Sequence, residues 1–139
     1  MKPNVPTAPH SPTRVSPRDI AKASYGRDFG WFMERDGVVI GQLTDSRFED
    51  MFWTSYAVEP LGDTEEQRRV VYDPSTWREH WLTFRNRVTG DRVTSAYASG
   101  APSEGKPRVN IRALYLWPKL SWYERLQLWW WMRQRTRER

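Results

Sequence analysis

Residues 100–107 read GAPSEGKP, which has the G-x-x-x-x-G-K spacing of a phosphate-binding loop. In such a loop, backbone amides and the lysine hold phosphates, and a hydroxyl residue after the lysine binds magnesium. Here Pro107 replaces that hydroxyl, and Glu104 would lie among the phosphates. The next residues are typical of a strand, whereas the motif requires a helix whose N-terminus faces the anion. We therefore interpret Lys106 and its neighbours as a loop between two strands.

The histidines do not predict a metal or nucleophile site. The chain has no cysteine, and its two histidines are His10, near the N-terminus, and His80, between Trp77 and Trp81. A zinc site takes three or four protein ligands, and the sequence does not supply a matching set. We interpret His80 as a packed or surface histidine rather than the base of a nucleophilic triad.

A group of carboxylates is the remaining candidate for catalysis. Asp45, Glu49 and Asp50 are close in sequence, and Asp36 lies in a neighbouring loop. Paired carboxylates can exchange protons with a substrate when their pKa values differ, or they can bind a hard cation. Their spacing matches no metal-binding loop, and a solvated acidic face is the simpler interpretation. The sequence predicts a protein that is not an enzyme and that uses no cofactor or metal.

Length and composition restrict the class of protein. A chain of 139 residues is long enough for one domain with one core. The lack of cysteine suits a reducing compartment, and no apolar run approaches the roughly 18 residues that span a membrane. The N-terminus lacks the apolar segment of a secretory signal. We therefore expect a soluble, cytoplasmic protein.

Charge is distributed unevenly along the chain. Residues 29–66 contain nine acidic and two basic side chains, whereas residues 106–139 contain nine basic and two acidic ones. Opposite charges of this kind can pair within one fold or between two copies of the chain. The sequence leaves both alternatives open.

Residues 1–27 are expected to form a disordered, proline-rich tail, followed by a single domain over residues 28–139. Proline recurs at every third position from 3 to 12, which matches the three-residue turn of polyproline II. Few apolar side chains accompany these prolines, so the segment has little with which to form a core.

The turn dipeptide Asp36-Gly37 predicts a first β-hairpin. Counting back from this turn, Met33 pairs with Ile40. Apolar residues on both faces of the hairpin indicate that both sides are partly covered.

The segment over residues 45–58 is ambiguous, because helical spacing and strand alternation both fit its aromatic residues. We expect a short turn over residues 45–50 and a strand over 51–58. A polar connection over residues 62–69 follows.

A second hairpin is predicted around the Gly-Asp pair at residues 90–91. In this register Phe84 faces Tyr97 on the core side. Arg85 and Arg87 then lie on the opposite, polar and basic side.

The last elements are a strand over residues 108–117 and a C-terminal helix that begins with the capping box Ser121–Glu124. At 100° per residue, one side of this helix carries an apolar stripe typical of a helix packed on a sheet: Trp122, Tyr123, Leu126, Trp129 and Trp130. The predicted fold class is therefore α+β, with an antiparallel sheet of about five strands and the C-terminal helix packed on one face.

A second patch on this helix has no obvious core to cover it. Trp131 lies opposite the stripe and is followed by alternating arginines. Tryptophan and arginine are enriched at binding hot spots, and exposed apolar patches mark interaction sites. The predicted partner-binding residues are Leu128, Trp131, Met132, Arg133, Arg135, Arg137 and Arg139.

Three kinds of partner fit this patch. We favour a protein partner or a second copy, which makes the chain a small protein-binding or self-assembly module. The alternative is single-stranded RNA, with arginines (Arg85 and Arg87 included) on phosphates and aromatic rings on bases. A further alternative is peripheral binding to an anionic membrane.

Overall fold

The computed structural model describes residues 15–50, 53–93, 97–101, 107–112, 114–117 and 119–137. In chain order the elements are helix α1 (Pro17–Lys22), strands β1 (Trp31–Arg35), β2 (Val38–Asp50) and β3 (Trp53–Pro60), helix α2 (Glu65–Tyr72), strands β4 (Thr83–Asn86), β5 (Arg92–Val93), β6 (Tyr97–Ala101) and β7 (Arg108–Arg112), and helix α3 (Trp122–Arg137). The α+β class and the antiparallel sheet are confirmed, but the sheet has seven strands rather than about five.

The sheet is curled into a half-barrel. Its strand order is β5-β4-β1-β2-β3-β7-β6, and every pair is antiparallel. Strands β5 and β6 are therefore at opposite edges, although Val93 and Tyr97 are only four residues apart in the chain. In a flat sheet six strand spacings would separate the edges by about 29 Å, whereas four residues reach at most about 14 Å. The chain can make this connection only because the sheet curls.

The core lies on one face of the sheet. Trp31 and Met33 of β1 are fully buried, and their neighbours Leu43, Tyr56 and Phe84 continue the same face across the adjoining strands. Helix α2 and the segment after it cover this face with three further buried residues: Val70, Val71 and Trp77. Among the residues that the structure describes, this buried core includes none from α3.

The first hairpin forms at the predicted turn, where Asp36 and Gly37 both have positive φ. The predicted register is wrong by one residue, since Met33 pairs with Gly41 and not with Ile40. A β-bulge next to Met33 takes up the extra residue. A side chain at position 41 would come within 2.9 Å of Val71, so the glycine lets α2 pack closely on the sheet.

Residues 45–50 are strand and not the expected turn, because β2 continues to Asp50. The strand is irregular there, with a positive φ at Asp45 and a shift of register between Thr44 and Arg47. The strand predicted over residues 51–58 is confirmed from Trp53 onward, while residues 51–52 lie outside the described residues.

Helix α2 occupies the segment that was expected to be a polar connection. Its first turn is fixed by a reciprocal capping box, in which the Thr64 hydroxyl accepts from the Gln67 N–H and the Gln67 side chain accepts from the Thr64 N–H. Val70 and Val71 then bury the inner side of the helix. The first turn of α2 is strongly polar, which is why the sequence pattern indicated a connection rather than a helix.

The second hairpin is shorter than predicted. The Asn86 side chain accepts hydrogen bonds from the N–H groups of Val88 and Thr89, which closes the turn early. Phe84 therefore pairs with Val93, and the predicted pairing with Tyr97 is wrong. Tyr97 belongs to β6, at the other edge of the sheet.

The N- and C-terminal segments meet beside the sheet. Residues 17–22, which were expected to belong to the tail, form α1, and residues 1–14 lie outside the described residues. The Leu116 N–H donates to the Tyr25 carbonyl at 2.6 Å. Helix α3 begins at the predicted capping box, where the Ser121 hydroxyl accepts from the Glu124 N–H. The predicted strand over 108–117 ends at Arg112.

Candidate docking surface

The apolar stripe of α3 is exposed. Trp122 is 74% exposed, Trp129 54% and Trp130 60%, and Tyr123 and Leu126 are also more than half exposed. The prediction that this stripe packs on the sheet is therefore wrong. The physical reason is that α2 and Trp77 already cover the core face of the sheet. We call Trp122, Tyr123, Leu126, Trp129 and Trp130 the aromatic face.

The opposite side of α3 faces α1. Trp131 is partly buried there, with the Arg18 guanidinium and the Lys22 ammonium each 5.8 Å from its ring centroid. Leu128, also partly buried, lines an open groove of about 710 Å³ between the two helices, together with Pro17 and Trp131. Leu126 and Trp130, at the edge of the aromatic face, line the same groove. The two residues predicted to begin the binding patch therefore lie where α3 meets its own chain.

The other predicted contact residues lie toward the end of α3. Met132 and Arg133 are exposed, and the Arg133 guanidinium lies 5.0 Å from the Trp129 ring centroid. Arg137 is exposed in the last turn. Arg135 lies within α3, and Arg139 is outside the described residues.

Two of these arginines extend the aromatic face. With 3.6 residues per turn, positions 122, 126, 129, 133 and 137 fall on one side of an α-helix. Arg133 and Arg137 therefore continue the side that begins with Trp122. One side of the helix thus presents aromatic rings over its first turns and guanidinium groups over its last.

Positive charge dominates around this surface. Residues 15–22 and 119–137 together contain seven basic and two acidic side chains. Arginine and lysine near a helix C-terminus gain a little from the helix dipole, but this effect extends over only one turn. The surface therefore has an excess of positive charge that a partner can neutralise.

Part of the acidic region over residues 29–66 forms ion pairs with arginines of the sheet. Buried Glu34 lies 3.1 Å from Arg85 and 3.6 Å from Arg92, although the nearer pair is not aligned as a hydrogen bond. Asp45 pairs with Arg47 and with Arg108 of β7. Another ion pair joins Glu66 to Arg35, within the same acidic region. These ion pairs do not reach α3.

The candidates for chemistry are placed elsewhere in the fold. Gly100 and Ala101 belong to β6 and Pro107 precedes β7, so the G-x-x-x-x-G-K segment connects two strands, as expected; Lys106 lies outside the described residues. His80 is partly buried in a turn. Within the described ranges, no three histidine or acidic side chains are grouped as metal ligands.

The sheet offers little surface for stacking bases beside Arg85 and Arg87. Both guanidinium groups lie over the ring of Phe32, at 5.7 and 5.8 Å from its centroid. Phe32 is only 5% exposed as a result. Arg85 is in addition held by Glu34, so these arginines belong to the structure of the sheet.

Comparison of the chain with protein-family models, with curated proteins and with solved structures found no significant match. Among the described helices, none has the length and apolar character needed to cross a membrane.

Sequence reasoning identified the C-terminal helix but not which of its sides is exposed. Both sides of α3 carry large apolar residues, so periodicity could not show which side packs against the domain. The available signal was Arg133 and Arg137, because these arginines follow the stripe on its own side and would be unusual above a buried core.

Proposed function

We propose that this chain is a non-enzymatic binding module and that the aromatic face of α3, with Arg133 and Arg137, is its contact surface. One observation carries the proposal: five large apolar side chains, each more than half exposed, lie side by side on one helix. Contiguous apolar patches on this scale mark interaction sites in stable proteins. The well-formed core elsewhere supports a folded domain that does not need this face for its own stability.

The chemistry of the surface defines its partner. Such a partner accepts tryptophan and tyrosine rings and carries negative charge near the end of α3. An acidic protein surface, a second copy of the chain and an anionic lipid surface all belong to this class. Single-stranded RNA receives less support, because the sheet arginines Arg85 and Arg87 already cover Phe32.

Oxidative footprinting with mass spectrometry tests the proposal for every partner class. Tryptophan side chains would be labelled in the purified protein and in a whole homogenate of cells that make it, with membranes included. We expect Trp122, Trp129 and Trp130 to be protected in the homogenate. Trp81, which is 86% exposed and lies outside α3, is the internal control and should be labelled equally in both. Equal labelling of the α3 tryptophans in both samples would refute the proposal.

A further inference from the structure

We infer that the partner of the aromatic face is an anionic lipid surface, with α3 lying in the plane of the headgroups. This inference rests on the proposed function, and it names the partner. Three properties of the described residues carry it: the type of the exposed side chains, their order along the helix, and the charge around them.

The exposed side chains are of the kind that collects at a membrane–water boundary. Four of the five are tryptophan or tyrosine, and Leu126 is the one aliphatic residue. Indole and phenol rings combine an apolar body with a polar tip, so they are enriched where hydrocarbon meets water. On this face their polar tips remain able to contact water and headgroups.

The order of residues along α3 suits a helix that lies on the surface. Its 16 residues extend over about 24 Å, and aromatic residues occupy the first turns while Arg133 and Arg137 continue the same side. The rings would enter the boundary between headgroups and acyl chains. The long arginine side chains would direct their guanidinium groups back to the phosphates.

The local charge favours lipid over a second copy. The two helices and the segment before α3 carry seven basic and two acidic side chains, and three of the nine carboxylates over residues 29–66, Glu34, Asp45 and Glu66, are already paired with arginines. A second copy also has a formal net charge of +5, which opposes association. Each lysine or arginine near an anionic membrane strengthens binding about fivefold.

Vesicle co-sedimentation of the full chain tests the inference. The probes are vesicles of phosphatidylcholine alone and vesicles of phosphatidylcholine mixed with phosphatidylglycerol. We expect binding to the mixed vesicles, with a blue shift of tryptophan emission, and much weaker binding to the neutral ones. Added salt should reduce the binding, because it screens the arginines.

Two pairs of variants assign the binding to α3. The variant Trp122→Ser/Trp129→Ser/Trp130→Ser should lose binding, whereas Trp81→Ser should keep it. Arg133→Gln/Arg137→Gln should bind about 25-fold more weakly, whereas Arg68→Gln/Arg69→Gln, on the exposed side of α2, should bind like the original chain. Circular dichroism would be used to check that each variant is folded.

Several results would overturn the lipid inference. These are no binding to the mixed vesicles, equal binding to both kinds, or equal losses in the α3 and control variants. Protection of the α3 tryptophans in a homogenate cleared of membranes would also overturn it, and would leave the proposed function intact with a protein or nucleic-acid partner. Absence of protection in the complete homogenate would refute both.

Discussion

Trp31 and Trp129 are the same residue type in opposite environments, and the contrast separates the core of this protein from the contact surface that we propose. Trp31 is completely buried, and its indole N–H donates to the Tyr56 hydroxyl at 3.3 Å. Trp77 is also buried, and its indole N–H donates to the Val70 carbonyl at 2.7 Å. Trp129, by contrast, is more than half exposed beneath Arg133. In this chain a buried indole has a hydrogen-bond partner in the core.

The largest expected effect comes from removing the central tryptophan of the sheet. Trp31→Ala should lower the free energy of unfolding by about 3–5 kcal/mol, because it leaves a large cavity between β1 and Tyr56. Urea denaturation followed by circular dichroism measures this change. A loss below about 1 kcal/mol would contradict the assignment of Trp31 to the core.

A smaller effect is expected from the buried carboxylate on the other face of the sheet. Glu34→Gln should lower the free energy of unfolding by about 2 kcal/mol. This is less than the loss expected on breaking a fully buried ion pair, because Arg92 is well exposed. Glu65→Gln is the matched control, since its exposed pair with Arg69 contributes little. Equal losses in the two variants would show that Glu34 has no special role.

The core should also respond to high pH through Tyr56. Burial raises the pKa of Tyr56 well above its usual value, and the hydrogen bond from Trp31 only partly offsets this. The folded state therefore favours the neutral phenol. Its contribution to stability is complete below the unfolded-state pKa of about 10 and is lost as the pH rises further.

At pH 11 this loss amounts to about 1.4 kcal/mol. Tyr56→Phe should remove this pH-dependent loss, so the stability of that variant should fall less steeply between about pH 9 and 11. This interval is centred on the tyrosine pKa of about 10. Urea denaturation across this range measures the difference. Tyr72→Phe, at a half-exposed position, is the control for the loss of a phenol hydroxyl.

The contact between α1 and α3 should be local in its effect. Trp131→Ala removes the ring that Arg18 and Lys22 cover, a contact of about 1 kcal/mol. We expect faster amide hydrogen exchange in α3 and unchanged exchange in β1 and β2. Trp129→Ala should leave the exchange of α3 closer to that of the original chain. A global loss of protection in Trp131→Ala would place Trp131 in the core.

The smallest effect on stability is expected at the aromatic face itself. The variant Trp122→Ser/Trp129→Ser/Trp130→Ser should change the free energy of unfolding by about 0.5 kcal/mol or less, as exposed positions usually do. The same urea measurement serves for this variant. A loss comparable to that of Trp31→Ala would remove the distinction between the two groups of tryptophans.

Local signals in the sequence identified several elements correctly. Asp36-Gly37 marked the first turn, Ser121 and Glu124 marked the start of α3, and alternation marked β7. These features depend on neighbouring residues, which is why sequence reasoning could find them. The same kind of signal was present at Thr64 and Gln67, where the polar first turn concealed α2.

Pairing depended on contacts that are distant in sequence. The bulge beside Met33 changed the register of the first hairpin. In the second hairpin the turn formed by Asn86 makes Phe84 pair with Val93 rather than with Tyr97. The strand order placed Tyr97 at the opposite edge from Val93, and the curl of the sheet brought the two edges within reach of a four-residue connection. None of these features follows from alternation or turn residues, because each depends on how the whole sheet closes.

The sequence by itself determined that the fold is α+β and that it includes a helix rich in tryptophan and arginine. Only the tertiary structure decided which side of that helix is exposed. The two sides are almost equally apolar, so the choice depended on which surface was still uncovered once the core had formed. Helix α2 packs on the core face of the sheet, and α1 contacts Trp131 on one side of α3. The aromatic face, on the other side, is exposed to solvent.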